Sequence, residues 1–398
     1  MIRAFLPRRR RRLPAFVLSR RHLALSVLLA ASVVASGCGS FTDGVVGTTA
    51  AEPTATVLPT TALPTAIPTP TRAATPTPMP RPTPRPRLRY GGGVNLAGAE
   101  FSDTLLPGRY DWDYIYPNAG EVDYFMAKGM STFRLPFRWE RLQQKQFAAF
   151  EAVEQARMDE VVRYATGKGA NVIIDPHNFA RYYGDIVGQS KVPASAFADL
   201  WSRLASHYRD NSRVIFGLVN EPNTMSSELW VGDANAAIRA IRATGAKNLI
   251  LVPGNAWSGA WTWGETWYGT SNAVAMLRIT DSGHNFAFEV HEYLDSDGSG
   301  THDACVSRKI GSARMAYLTS WLKRHGKRAF LGEFGTPDNA TCLAATDDLL
   351  TYLDRNSSLY LGWTYWAAGP WWGDYFMSVE PTNGLDRPQM ATLSRHLP

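Results

Sequence analysis

The sequence predicts one (β/α)8 barrel behind a leader and a linker, and three observations point to that fold class. From Tyr90 onward, eight short runs rich in β-branched and aromatic residues alternate with mostly helix-length stretches, the pattern of parallel strand–helix units. The roughly 300 residues that contain them match a closed eightfold barrel. No G-x-G-x-x-G follows a run, and Gly91-Gly92-Gly93 precedes the first one instead, which argues against an open dinucleotide-binding sheet.

In chain order, residues 1–37 read as an export signal. An Arg-rich start precedes an apolar stretch from Leu23 to Ala35, which is too short to span a bilayer. Ser19-Arg20-Arg21-His22-Leu23 resembles a twin-arginine signal. Val34-Ala35-Ser36-Gly37-Cys38 resembles a lipobox, with Ala35 where Leu is usual, so Cys38 is the expected lipidation site and membrane tether. Ordinary cleavage near Ala35, leaving Cys38 an incidental thiol, is the alternative.

Residues 38–88 are a linker, and its Pro/Thr tract from about residue 51 to 86 lacks the large apolar residues needed to bury a core. Residues 89–398 form the barrel domain. The chain's net charge of +6 suggests a nucleic-acid partner at first sight. The arginines crowd into the leader and linker, however, and leave the barrel domain net acidic, so no nucleic acid is expected. The 13 Trp favour a ligand with flat apolar faces, such as a sugar.

The runs fall at 91–98, 131–137, 170–177, 214–222, 248–254, 286–293, 328–335 and 360–368. Between them, Phe197, Leu200, Trp201, Leu204 and Tyr208 keep helical spacing. In a parallel barrel the strand C-termini share one face, so polar residues closing the runs become neighbours. The second run carries Arg134, the third ends Asp175-Pro176-His177 and the fourth Asn220-Glu221-Pro222. The sixth ends His291-Glu292-Tyr293, the seventh Glu333-Phe334-Gly335, and the eighth contains Trp366. Either Glu alone would read as a helix cap or a rim ion pair, and either His as structural. Together at strand ends they form a paired-carboxylate constellation suited to glycosidic cleavage. A metal is the rival reading for two His near Asp175, but no His-x-His or His-Glu-x-x-His spacing supports one, and no cofactor is expected.

At these residues the sequence resembles glycoside hydrolase family 5, through Asn-Glu-Pro after the fourth run and Gly-Glu-Phe-Gly at the seventh. It is further similar to the family's subfamily 5 endo-β-1,4-glucanases, through residues 93–101, Asp175-Pro176-His177-Asn178, the stretch 293–300 and Gly369-Pro370-Trp371-Trp372-Gly373. The resemblance covers about residues 90–398. It implies Glu221 as acid/base and Glu333 as nucleophile of a retaining enzyme on cellulose or mixed-linkage β-glucan, with Arg134, His177, Asn220, His291, Tyr293 and Trp366 binding substrate or orienting the carboxylates. Mannan, glucomannan or xyloglucan are alternative substrates, and a non-catalytic glycan-binding lipoprotein is the alternative of another class.

Three further expectations complete the reading. Cys305 and Cys342 are an even pair in an exported domain and are expected to form a disulfide, two buried thiols being the alternative. Trp257, Trp261, Trp263, Trp267, Trp371 and Trp372 divide between sugar platforms and covers over barrel–helix seams, and Asp295 and Asp297 between Asx turns and cleft groups. Nothing requires a dimer, and a monomer is expected.

Overall fold

The computed structural model describes residues 88–398. The signal segment, Cys38 and the linker up to residue 87 lie outside the described residues. Leu88 is buried.

All eight runs form strands of one closed parallel barrel: β1 (Gly92–Leu96), β2 (Thr132–Phe137), β3 (Asn171–Pro176), β4 (Val214–Gly217), β5 (Ile250–Pro253), β6 (Phe286–His291), β7 (Ala329–Glu333) and β8 (Tyr360–Ala368). Each pairs with its sequence neighbour, and β8 closes on β1. Seven strands are each followed by a helix of the outer layer: α1 (Ala119–Ala127), α2 (Ala152–Gly167), α3 (Ala194–Tyr208), α4 (Ser227–Ala243), α6 (Ile310–His325), α7 (Ala340–Arg355) and α8 (Gln389–Leu393). The fifth unit differs: only the four-residue α5 (Asn272–Ala275) and one 3-10 turn follow β5, because the Trp- and Gly-rich chain before it is spent as a loop on the barrel mouth.

Local chemistry sets the helix ends. Asn118 and Glu121 form a capping box on α1, Ser226 and Asn339 cap α4 and α7, and Gly326 ends α6 in the left-handed region at φ 60°. The apolar stripe predicted on α3 is buried without exception.

The barrel interior is layered. Ile173, Ile215, Leu251, Ala287, Phe330 and Leu361 form a small apolar plug separate from the main strand–helix core. Two residues further along the strands, the same alternation brings Arg134, Asp175 and Glu289 inward, all fully buried. Room for the Glu289 carboxylate comes from missing side chains: a Cβ on Gly332 would lie 2.3 Å from Glu289 Oε1, and one on Gly217 would lie 3.4 Å from Oε2. Polar groups replace apolar packing in the layer that supports the mouth.

Candidate active site

Arg134 organises the site from below. Its Nη1 donates to Glu333 Oε1 at 2.7 Å and to Asn95 Oδ1 at 2.9 Å, and its Nη2 donates to Asn220 Oδ1 at 2.8 Å. The same guanidinium lies 3.0 Å from Asp175 Oδ2 and 2.9 Å from Glu289 Oε1. One planar cation therefore joins β1, β2, β3, β6 and β7 and the β4 loop, and the five groups around it leave it no freedom to rotate.

Glu333, the last residue of β7, is 4% exposed and accepts a second hydrogen bond, 2.9 Å long, from the Tyr293 hydroxyl. Glu221 sits in the loop beyond β4 with φ 40°, a left-handed conformation that a non-glycine residue holds only when its surroundings impose it. His291 lies between the two: its Nδ1 is 2.7 Å from Glu221 Oε1 and 3.6 Å from Glu333 Oε2, while Nε2 is 3.4 Å from Glu289 Oε1. Oxygens of Glu221 and Glu333 and a nitrogen of His291 all fall within 4.8 Å of one another.

The charges follow from this packing. Burial lifts the Glu221 carboxyl above its ordinary range and Glu333 adds to the shift, while the His291 hydrogen bond works against it. Burial disfavours a charged His291, but Glu333, Glu221 and Glu289 outweigh it and push its pKa up to about 10. Burial also opposes ionisation of Glu289, yet Arg134 and His291 hold its carboxyl below the usual value. Asp175 is lifted to about 7 by burial. His177 is the opposite case: burial, reinforced by Arg134 and Arg138, keeps it neutral. With Nδ1 bonded to Asp175 Oδ2 at 2.8 Å, its Nε2 is left as an acceptor for a ligand hydroxyl. His177 stacks on Trp366 with ring centroids 5.4 Å apart.

All eight site residues named from sequence converge on this mouth. Arg134 is the exception in level: it lies inside β2 and acts through the others from beneath. Four groups were not anticipated as part of the site. Asn95 and Glu289 were legible only as inward positions of a period-2 strand. Glu292 and Arg314 form a buried support, with Arg314 Nη1 3.5 Å from Glu292 Oε1 and its guanidinium over Trp261 at 4.5 Å. Arg314 also donates to the Tyr293 carbonyl, and Glu292 accepts from the Trp261 amide at 3.0 Å, so this pair holds both Tyr293 and the cleft wall.

The loop after β6 completes the wall. Asp295 accepts from the amides of Gly300, Thr301 and His302, and Asp297 Oδ1 accepts from the Ser299 amide in an Asx turn. Gly298 and Gly300 have φ of 72° and 71°, and Cβ atoms there would meet Trp261 and Tyr293 at 2.8 and 2.5 Å. Only glycine allows both the turn and the close approach. The Cys305–Cys342 disulfide ties this segment to α7.

A cleft of about 500 Å³ opens over Glu221 and Tyr293, walled by Trp257, Trp261 and Trp267. Trp257 and Trp267 are 40% and 50% exposed, whereas Trp263 is fully buried against Phe288 and Trp321 and seals a barrel seam. Trp372 stacks on Tyr375 at 4.6 Å and contacts Trp366 edge-on, extending the aromatic rim past β8.

Residues 89–369 match the model of the cellulase family, glycosyl hydrolase family 5. Endo-beta-1,4-glucanase A of Emericella nidulans is 43% identical over 295 residues, 74% of this chain and 87% of that protein. Among solved structures, XacCel5A in complex with cellopentaose is 48% identical with a TM-score of 0.76, covering 78% of this chain and 99% of the other. The endo-beta-1,4-glucanase Xac0029 of Xanthomonas axonopodis pv. citri is 46% identical with a TM-score of 0.76, covering 77% and 98%. A closed barrel, a carboxylate pair at its mouth and these likenesses lead to one assignment: the chain belongs to glycosyl hydrolase family 5 and is a glycoside hydrolase.

Proposed function

We propose that the protein is a retaining endo-β-1,4-glucanase acting on cellulose or mixed-linkage β-glucan, with Glu221 as acid/base and Glu333 as nucleophile. The observation that carries this reading is the spacing of the pair: their nearest carboxylate oxygens lie within 4.8 Å, in keeping with the about 5–5.5 Å separation of retaining enzymes and short of the about 6.5–9.5 Å of inverting ones.

The two carboxyl groups differ in the way the chemistry requires. Glu333 accepts from a cation and a phenol, which fix its carboxylate in place and aim it. Its oxygen attacks the anomeric carbon while the Glu221 proton moves to the glycosidic oxygen, the C–O bond breaks, and a glycosyl ester forms on Glu333. Glu221, now a carboxylate, takes a proton from water; the water oxygen attacks the same carbon and releases the ester with net retention. The cationic His291 between the pair stabilises Glu221 when it carries charge. Neutral His177 and Asn220 remain as partners for sugar hydroxyls, and Trp366 as a ring platform. The endo-glucanase names of the relatives and the open, Trp-walled cleft support internal cleavage of a long β-1,4-glucan.

The reading also includes export and a lipid tether through Cys38, supported by the leader pattern alone. Mass spectrometry of the native N-terminus would find a diacylglyceryl group on Cys38, or an unmodified thiol if the tether is wrong.

The deciding experiment is hydrolysis of carboxymethyl cellulose, barley β-glucan, glucomannan and xyloglucan, with anomeric configuration followed by NMR. Preference for the β-1,4-glucans with β-products first is expected. An initial α-product overturns the mechanism, and preference for glucomannan or xyloglucan overturns the substrate. Glu333→Gln should lose orders of magnitude in rate while still binding oligosaccharide; equal, negligible hydrolysis by both proteins would mean a glycan-binding protein instead.

A further inference from the structure

Glu221 is not alone in its backbone conformation. Its φ of 40° is followed, three residues on, by Thr224 at φ 51°, so one short loop beyond β4 holds two non-glycine residues in the left-handed region, the second of them β-branched. Neither keeps that conformation unless its surroundings impose it. The two ends of the loop are held from the barrel side. The Asn220 amide donates to the Pro176 carbonyl at 3.0 Å and the Trp257 amide to the Pro222 carbonyl at 3.1 Å, while Asn255 Nδ2 donates to the Met225 carbonyl at 2.7 Å. Asn223 and Thr224 lie between these ties and are gripped from another loop.

The grip comes from Arg181, half-buried in the loop after β3, where it opens a small hairpin pairing Arg181–Tyr182 with Asp185–Ile186. Its Nη2 donates to the Asn223 carbonyl at 3.1 Å and to the Thr224 hydroxyl, and its Nη1 donates to the Phe179 carbonyl at 2.7 Å, which fixes the guanidinium to its own loop. The contacts run on to Glu221: Thr224 Oγ1 donates to Asn223 Oδ1 at 2.9 Å, and Asn223 Nδ2 donates to the Glu221 carbonyl at 3.0 Å. The Thr224 hydroxyl thus accepts from the cation and gives its own proton to the amide that braces Glu221. Among the described residues Arg181 forms no ion pair, and its planar fork is spent on neutral oxygens of two loops. A hydrogen bond from a charged donor is about twice as strong as a neutral one, which suits it to holding strained backbone.

The two carboxylates differ in what they owe to this network. Glu333 ends β7 and is aimed by Arg134 and Tyr293. Glu221 meets His291 through its side chain, but its backbone depends on the loop. Relaxing φ at Glu221 would swing its Cβ and carry the carboxyl off the leaving oxygen while Glu333 kept its aim.

We infer that Arg181 is a positioning residue for the acid/base: from the loop after β3 it holds Asn223 and Thr224, and through them the left-handed backbone of Glu221. Proton transfer to the leaving group then depends on Arg181, and attack by Glu333 does not. The inference rests on the acid/base reading of Glu221 above.

The test uses the full chain and a series of aryl cellobiosides that share one glycone and differ in leaving-group pKa, with kcat/KM read for each. An acidic phenol such as dinitrophenol departs without a proton, whereas a weakly acidic one needs the proton of Glu221. Arg181→Met keeps the aliphatic stem and removes the donors. It should stay within about twofold of wild type on the best leaving group and fall by about ten- to a hundredfold on the poorest, a steeper dependence in the same direction as that of Glu221→Gln. Arg181→Lys keeps the charge on a point donor and should lie between the two, and it takes the place of Arg181→Met should that variant not fold. The same loss on every leaving group, or no loss on any, overturns the inference. A uniform loss in Glu221→Gln overturns the acid/base reading itself and the inference with it.

Discussion

Arg134 Nη1 donates to Glu333 Oε1 at 2.7 Å while the rest of its guanidinium lies within 3.0 Å of Asn220, Asp175 and Glu289. The cation that aims the proposed nucleophile is thus also the tie that holds the mouth of the barrel together. Arg134→Lys keeps the charge but replaces a rigid fork with a point donor that cannot reach these groups at once. We expect kcat to fall by about a hundredfold or more. Calorimetry should show a lower Tm, since leaving buried carboxylates uncompensated costs about 3–5 kcal/mol. A variant with wild-type kcat would show that the tie is not needed.

Glu221 must be protonated to act first, and its pKa is raised chiefly by burial, with Glu333 adding to it. Activity on glucan should therefore decline on the alkaline side as pH rises through that raised value. Glu221→Gln assayed on an aryl cellobioside with a good leaving group needs no acid in the first step, so the alkaline limb of kcat/KM should vanish. A limb that persists unchanged assigns it to another group.

His291 is cationic in the folded protein with a pKa near 10, above the ordinary 6.5. Its contribution to stability is fully present below about 6.5 and is lost as pH rises through 10. The difference in Tm between wild type and His291→Gln should accordingly shrink from neutral pH toward pH 10. A difference that stays constant would mean that His291 stabilises by packing and not by charge.

Gly332 leaves the space that Glu289 fills. In Gly332→Ala the new methyl would sit 2.3 Å from Glu289 Oε1, and that carboxylate is pinned by Arg134. Denaturant unfolding should show a loss of about 1–3 kcal/mol, and kcat should drop with it because Glu289 also contacts His291. A fully stable, fully active variant would mean that the middle layer can shift.

The Cys305–Cys342 bond closes a segment with a sequence separation of 37. Replacing both cysteines by serine should cost about 3–4 kcal/mol of stability by the chain-entropy argument. Because the loop it closes begins beside Val306, whose amide donates to the carbonyl of Leu294 next to Tyr293, KM should rise more than kcat falls. Equal Tm with and without the bond would place the stabilisation elsewhere.

The strand order, the helix stripe on α3 and the convergence of Glu221, Glu333, His177 and His291 were all legible as local patterns, because period-2 and period-3.6 spacing and strand-end position need no tertiary information. The tryptophans were not. Trp263 and Trp267 lie four residues apart in one loop, yet one seals a seam beneath the surface and the other lines the cleft. Only the path of the loop after β5, which replaces most of a helix, separates them.

The sequence by itself determined the barrel and the chemical groups carried to its mouth. The tertiary structure alone decided how they are charged and held, since closing the barrel desolvates Arg134, Glu289, His291 and Glu221 together. It also decided that Arg181, from the loop after β3, holds Asn223 and Thr224 beyond β4. The physical reason is range: strand and helix periodicity are written between near neighbours, whereas burial, ion pairing and cleft shape depend on residues hundreds of positions apart that meet only when β8 closes on β1.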